Sequence, residues 1–417
     1  MSRILVIGGS GHVGSYLLPR LVERGHEVVN VSRGTAKPYR AHYCWDLIEN
    51  VALDRAAEEK AGTFGIKVAN LHPDVIVDMI SFDLASTQHL VEAIRGKVEH
   101  YLFCSTIWVY GRLFAIPATE TEPTNPIDEY GTGKAESEAW LMKEARQSGF
   151  PATCFRPGHI VGEGWNPVTP QANANPDTFS LIARGEELVL PNLGLEMVHH
   201  VHADDVAQWI ICAIENRAAS IGEIFNTVSS QAVTLKGYAE TVYRWFGREP
   251  RIAFKPFEEW LLDLDPDARE NTRGHVIRSS CHSIEKSRRR LGYSPRYTSL
   301  EAVHQAVEAL IRAGRVVAPD GLNIRARRRC PPRANNNHPR CAFGPIAAIR
   351  SGGRYWVFSL NLFHITGLPG SVEGWLTGCI EPKNCEETTI GYSRQFMDRI
   401  AMPAELSDDG RGHFGVC

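Results

Sequence analysis

The sequence predicts an α/β fold: a doubly wound parallel sheet, a smaller, mostly helical C-terminal substrate domain, and an irregular tail. Three observations predict it. Short apolar runs alternate with helical stretches through the first 157 residues, and near-continuous apolar runs are the mark of strands buried on both faces. The first run closes on a glycine-rich turn that opens a helix. No stretch approaches the roughly 20 apolar residues of a membrane span, so the 43% apolar content of this 417-residue chain is available for a core.

The elements follow in order. Arg-Ile-Leu-Val-Ile at residues 3–7 is a first strand, closed by Gly8-Gly9-Ser10-Gly11. A helix comes next, with Val13, Tyr16, Leu17 and Leu21 at spacings of three and four. Pro19 lies inside it, where a proline kinks a helix or removes a hydrogen bond. Residues 27–31 are a second strand, 43–47 a short third, 75–80 a fourth and 101–104 a fifth. Residues 85–95 and 129–148 read as helices, and 152–156 as a sixth strand. The right-handed crossover rule winds such units onto both faces of one sheet.

Domain 1–157 is therefore predicted to bind a dinucleotide, with segments returning to it at about 196–228. Residues 158–316 form a substrate region interleaved with it. Its Pro/Asn/Gly-dense loop at 164–177 and its helices at 204–215, 235–246 and 300–313 have no sustained strand pattern. From about residue 317 the character changes. Residues 325–354 hold eight arginines, no lysine and no acid, with Pro331-Pro332 and Asn335-Asn336-Asn337 among them. This Arg/Cys/Pro-rich tail, 317–417, reads as a disordered appendage or an artefact of gene prediction rather than a nucleic-acid tail. Strand character is suggested only at 355–363.

A net charge of −3 argues against a general polyanion binder. Met-Ser-Arg is too short a lead for a signal peptide. Cys44, Cys104, Cys154, Cys212 and Cys281 are scattered, and no cysteine pair has Cys-x-x-Cys spacing. Small buried hydrophobes in a reducing, cytoplasmic compartment are expected.

Gly8, Gly11 and Gly14 form Gly-x-x-Gly-x-x-Gly directly after the first strand, with Ser10, His12 and Val13 between them. Gly8 permits the tight turn, Gly11 lets backbone approach a pyrophosphate, and Gly14 lets the helix pack close. The helix N-terminus offers N–H groups to phosphate. This is the Rossmann-type nucleotide loop. The second strand ends at Ser32-Arg33, with no acid between Asn30 and Tyr39. An acid there would bind a ribose 2′-hydroxyl; Arg33 would pair with a 2′-phosphate, so NADP is preferred over NAD. Asp46, at the end of the expected third strand, is a candidate for the adenine edge or a turn residue.

Tyr130 and Lys134 share a face of the long predicted helix. A nearby ammonium lowers a tyrosine pKa from about 10 toward the range of a useful base. Phe103-Cys104-Ser105-Thr106-Ile107-Trp108-Val109-Tyr110-Gly111 closes the fifth strand, where a hydroxyl faces the nucleotide crevice. Ser105 and Thr106 are both candidates.

Together with Arg156-Pro157-Gly158 and Val201-His202-Ala203-Asp204-Asp205, these motifs stand in the order of a known family. Over about residues 1–315 the chain resembles the extended short-chain dehydrogenases/reductases, the NAD-dependent epimerase/dehydratase family. The resemblance implies a catalytic triad of Thr106, Tyr130 and Lys134, with Lys134 also holding the nicotinamide ribose. It places the Pro157 carbonyl near the nicotinamide amide, brings His159 to cofactor and substrate, and sets Ile80-Ser81 by the adenine ribose; Ser105 joins the cofactor-binding candidates. It implies a small-molecule substrate, a homodimer, an activity as NAD(P)-dependent oxidoreductase or epimerase, and no metal.

Departures narrow this. Ile107-Trp108 stand where family dehydratases carry Asp-Glu, which argues against sugar-nucleotide 4,6-dehydration. Arg251, Arg273 and Arg278 are available for a substrate phosphate, but none stands in an identifiable motif. His199, His200 and His202 lack an acid or cysteine to complete a metal site and read as structural. Trp165 either covers a ring substrate or caps the small domain. Two other classes stay in view. Plant chloroplast stem-loop RNA-binding proteins are similar in the ending Ser32-Arg33-Gly34, although the intact triad and the net charge make nucleic acid the lesser reading. A non-catalytic dinucleotide sensor is the other.

Overall fold

The computed structural model describes residues 1–318 and the segments 347–351, 354–365 and 372–379. The chain divides into two compact units, residues 1–328 and 329–417.

The first unit opens with β1 (Arg3–Ile7), α1 (Gly14–Glu23), β2 (Glu27–Ser32) and β3 (Glu49–Ala52). It continues through α2 (Arg55–Lys60), α3 (Phe64–Ala69), β4 (Val75–Asp78), α4 (Leu84–Ile94), β5 (His100–Cys104), α5 (Glu129–Ser148) and β6 (Ala152–Pro157). Seven strands form one sheet in the order Ile224–Thr227, β6, β5, β4, β1, β2, β3, and every pairing in it is parallel. The strand order reverses between β1 and β4, so their carboxyl ends flank the crevice where such sheets bind ligands.

Strand alternation decides what covers each face. Ile4 and Val6 of β1 pack with Leu17, Leu18 and Trp209 on one side. Leu5 and Ile7 pack with Phe64, Leu90 and Leu141 on the other. α1 runs unbroken through Pro19, so the proline removes one N–H donor without ending the helix.

The third strand is not where the sequence suggested. Residues Tyr43–Leu47 form a 3₁₀ turn, and β3 follows it. As the sheet's edge, β3 (Glu-Asn-Val-Ala) is mostly exposed and carries no apolar run to reveal it. The short helices α2 and α3 left no sustained helical period either.

α5 is fixed by its ends and by buried charge. The Asp128 side chain accepts the Gly131 N–H at 2.7 Å, and Gly149 ends the helix in the left-handed region at φ 70°. Glu138, 2% exposed, takes Arg156 of β6 in a bidentate pair with Nε–Oε1 2.9 Å and Nη2–Oε2 2.5 Å. Arg156 is equally buried and lies 4.5 Å from the Tyr110 ring centroid.

The smaller lobe is built from paired short strands and helices. Leu188–Pro191 pairs with Ile252–Lys255, and Met197–Val198 with Val233–Thr234. His159–Val161 pairs with His200–His202, while among the described residues Ile224–Thr227 alone of the later strands returns to the main sheet. Phe179, Tyr238, Trp260 and Val303 anchor this lobe's own core. Cys44, Cys104 and Cys154 are buried, whereas Cys212 and Cys281 are half-buried.

In the second unit, Ala347–Ser351, Arg354–Ile365 and Val372–Cys379 form a three-stranded antiparallel sheet. Its middle strand spans the 355–363 run singled out from sequence. Of the arginine-rich stretch 325–354, residues 325–346 and 352–353 lie outside the described residues.

Breaking the Glu138–Arg156 pair from one side strands a buried charge. Glu138→Gln is expected to cost about 3–5 kcal/mol in urea unfolding, and a well-packed apolar double replacement distinctly less. A loss below ~1 kcal/mol for Glu138→Gln would show that the pair does not hold α5.

Candidate active site

The glycine loop is shaped by backbone demands. Gly8 lies at φ 87°, in the left-handed region, and its N–H bonds Val31 O of the neighbouring strand at 2.8 Å. A Cβ on Gly14 would sit 1.9 Å from Gly9 O, so the helix can begin this close to the loop only with glycine there. Within the described residues the His12 and Val13 N–H groups bond nothing, which leaves them to an anion at the start of α1.

Above this loop opens a cavity of about 650 Å³. Of the expected cofactor residues, Gly8, Ser10, Gly11, Arg33 and Ile80 line it. Ser81 is buried behind it, its hydroxyl 2.8 Å from that of Thr87. Asp46 is not part of the lining. Because the third strand is β3, the residues that follow its end are Leu53 and Asp54, and these do line the cavity. The sequence held that signal in Val51-Ala52-Leu53-Asp54, but misplacing the strand hid it. The His12 ring turns away to stack on Trp165, with centroids 5.1 Å apart, while Tyr39 meets both rings edge-on. Trp165 thus lies across the glycine loop.

The hydroxyl, phenol and ammonium come from two elements. Thr106 follows β5, and its Oγ1 accepts the Trp108 N–H at 3.2 Å, starting a 3₁₀ turn. Tyr130 and Lys134 stand one turn apart on α5. Lys134 is 1% exposed, and its Nζ donates to Cys104 O at 2.5 Å. The rings of Phe103, Phe82 and Tyr130 surround that ammonium at 4.9, 5.1 and 5.8 Å. Burial lowers the Lys134 pKa.

The simple expectation for Tyr130 does not follow in the bare site. Burial pushes its pKa up to about 12, with Cys104 adding to the rise and the Thr106 hydroxyl opposing it. The phenol is therefore protonated at neutral pH, and Lys134 alone does not make it a base. Two of the Lys134 donors and the buried Ser105 Oγ have no partner within the described residues. A dinucleotide fits this arrangement: a glycine cradle for phosphate, and unused donors at the strand ends for a ribose and an amide.

Pro157 ends β6, and Gly158 N–H bonds Thr227 O at 3.1 Å. His159 follows, its Nδ1 3.2 Å from His199 O and its Nε2 buried without a partner. His275 lies 4.9 Å from His159 and 5.2 Å from Trp108, ring to ring. Arg278 stacks 3.8 Å over the Trp108 ring and pairs with Asp128, the residue that caps α5. Arg273 instead pairs with Glu258 at 2.6 Å, and Arg251 Nη1 approaches Gly185 O at 3.4 Å.

The histidine triplet is tied to the protein itself. His199 Nε2 lies 3.0 Å from Ser229 O, His200 Nε2 2.9 Å from Val168 O, and His202 Nε2 bonds Gln305. The group that brings three ligand atoms within 4.8 Å among the described residues is Glu23, His42 and Cys44, and there His42 Nδ1 already accepts the Cys44 N–H.

A family model, the NAD dependent epimerase/dehydratase family, matches residues 4–227. The chain belongs to this family. It is 26% identical over 310 residues to the Arabidopsis thaliana chloroplast stem-loop binding protein of 41 kDa b, covering 72% of this chain and 77% of that one. It is 24% identical over 326 residues to UDP-glucose 4-epimerase of Corynebacterium glutamicum, covering 72% and 93%. Its fold matches the UDP-glucose 4-epimerase of Thermotoga maritima with UDP-glucose, at 22% identity and a TM-score of 0.59, over 75% and 99%. As a member of the epimerase/dehydratase family it is an NAD(P)-dependent enzyme of the extended short-chain type. No helix among the described residues is long and apolar enough to cross a membrane.

Buried neutral imidazoles give this fold an acid-labile side. Burial depresses His100 and His199 to about 3, and His12, His200 and His275 to about 4. Their folded pKa values lie below the unfolded value of about 6.5, so the unfolded chain binds more protons. Stability is then present above about pH 6.5 and is lost as pH falls from there toward 4. Urea unfolding at pH 7.5, 6 and 5 should show uptake of more than one proton between pH 6 and 5; a flat profile would contradict it.

Proposed function

We propose that the chain moves a hydride between a dinucleotide and a substrate carbon bearing a hydroxyl or carbonyl, with Tyr130 transferring the proton. One observation carries the reading: where β5 ends, beside the switch point of the sheet, Tyr130 hydrogen-bonds the Thr106 side chain, and the Lys134 ammonium lies on Cys104 O, 5.8 Å from the Tyr130 ring. The dinucleotide, when bound, supplies the hydride donor or acceptor and, in its oxidised form, a positive ring charge. The chain does the rest. Thr106 orients the substrate oxygen. Tyr130 takes the proton from a hydroxyl as a carbonyl forms, or gives it back in the reverse direction. Lys134 donates to a ribose and, with the oxidised ring, favours the phenolate that burial disfavours.

The substrate class is a sugar nucleotide or a smaller carbonyl compound. UDP-glucose 4-epimerases among the relatives support the first. The 2'-dehydrokanamycin reductase of Streptomyces kanamyceticus, 26% identical over 266 residues, supports the second. Trp108, in place of an acid and covered by Arg278, supports neither dehydration nor a role for Arg278 as a free phosphate ligand. The acid-free end of β2 favours NADP over NAD, and a homodimer formed through α5 and its neighbouring helix belongs to the same reading.

A second reading, RNA binding on this fold, is favoured by the name of the Arabidopsis relative. The net charge of −3 opposes it.

The purified protein is expected to carry or take up a dinucleotide, identified after release by its mass and absorbance. Tyr130→Phe should lower turnover of UDP-glucose, or of a carbonyl substrate with NADPH, by about 10²–10⁴-fold while leaving dinucleotide affinity within a few-fold. An unaltered rate in Tyr130→Phe would remove the tyrosine from the chemistry. Salt-sensitive RNA retention with no dinucleotide binding would favour the second reading.

A further inference from the structure

The Tyr130 ring has a neighbour that is held from the smaller lobe. Trp108, two residues after Thr106, meets that ring edge-on with centroids 6.1 Å apart. Helix Pro266–Arg278 flanks Trp108. Its His275 meets the indole edge-on at 5.2 Å, and the guanidinium carbon of its last residue, Arg278, lies 3.8 Å from the indole centroid. Arg278 is 2% exposed. Its Nη1 donates to Gly274 O at 2.7 Å, and its Nη2 donates to Asp128 Oδ2. A Cβ on Gly274 would stand 2.7 Å from that Nη1, so glycine keeps the path of the guanidinium open. The other Asp128 oxygen accepts the Gly131 N–H at the start of α5.

These contacts set the charge around the phenol. The Asp128 carboxylate, two residues before Tyr130, raises the tyrosine pKa and so opposes a phenolate. Lys134 faces the ring from the same helix, with Asp78, Arg55 and Glu138 around it. From β5 comes Cys104, whose thiol burial pushes up to about 11, and beyond it the neutral Thr106 hydroxyl. Phe82, on a further side, is uncharged. From the smaller lobe come His275, held neutral by burial at about 4, and Arg278. Arg278 is the cation that answers Asp128.

We infer that Arg278 is a positioning residue for proton transfer: it braces Trp108 against the Tyr130 ring and offsets the Asp128 charge beside the phenol. The inference rests on the reading of Tyr130 as the proton-transfer group and adds to it a charge from outside the triad. The guanidinium does both tasks at once because its flat face stacks on the indole while its edge donates to the carboxylate.

Phenolate absorbance near 295 nm tests it on the full chain, with saturating NADP⁺ or NAD⁺, whichever wild type binds. Each protein is read against the same protein carrying Tyr130→Phe. Arg278→Gln leaves Asp128 uncompensated and should raise the midpoint by at least about 0.5 pH unit, about threefold less phenolate at a fixed lower pH. Asp128→Asn still caps α5 but leaves the guanidinium unpaired, and should lower the midpoint by a similar amount. The double variant should return to within about 0.2 unit of wild type. Arg278→Lys, which restores the charge without the flat stack, should keep the wild-type midpoint. A merely structural role would move both single variants the same way. If Arg278→Gln does not fold, Asp128→Asn and Arg278→Lys decide alone: the first lowered and the second unmoved is the expected pair. Single variants that both leave the midpoint in place, or shift it in the same direction, would overturn the role of Arg278 and leave Tyr130 as the base. A wild type with no phenolate up to about pH 11 at saturating dinucleotide would overturn the Tyr130 reading and this one with it.

Discussion

Two opposite charges, buried one turn apart on α5, set the geometry on which the rest of the site depends. Lys134 reaches the last carbonyl of β5, and Glu138 grips Arg156 of β6. Neither group can return to water without opening the helix–sheet interface, and neither can be left alone inside it. The helix is therefore fixed in rotation as well as in position. Tyr130, one further turn toward the N-terminus, is carried to the mouth of the crevice by the same stripe. Asp128 completes the constraint, because its carboxylate caps α5 and also receives Arg278 from the smaller lobe. The helix that carries Tyr130 is thus joined to both lobes.

The same burial that builds the site works against a resting base. Lys134 is stripped of water, and the Tyr130 pKa rises rather than falls. A site of this kind is quiet until an additional positive charge arrives near the phenol. The neighbouring imidazoles are also kept neutral by burial, so they can accept or donate to hydroxyl groups without adding charge to the crevice. On the proposed mechanism, a dependence of reactivity on the bound dinucleotide follows from this physics and needs no moving part.

Most of this was legible in the sequence where buried strands or backbone demands leave a mark. The Gly8/Gly11/Gly14 spacing and the strand-end position of Thr106 are dictated by local sterics and by the sheet's polarity. Tyr130 and Lys134 needed only the helix period. The signal failed at the sheet's edge. Glu49-Asn50-Val51-Ala52 is half solvated, so its pattern resembles a loop, and the strand end that lines the cavity lies at Leu53-Asp54 rather than at Asp46. Contacts made across long sequence separations were equally hidden. No spacing announces that Arg278 will cover Trp108, that Trp165 will lie on His12, or that Lys37 and Arg40 will share a cavity. Those follow from tertiary packing alone.

The central claim is that Tyr130 is an acid in the bare site and becomes a usable base with the oxidised dinucleotide in place. Phenolate absorbance near 295 nm, taken as wild type minus Tyr130→Phe, tests it most directly. Without dinucleotide the difference signal should stay absent below about pH 10, and with saturating oxidised dinucleotide it should appear at least about two pH units lower. A phenolate already present near neutrality in the bare protein, or a midpoint unmoved by the dinucleotide, would contradict the account.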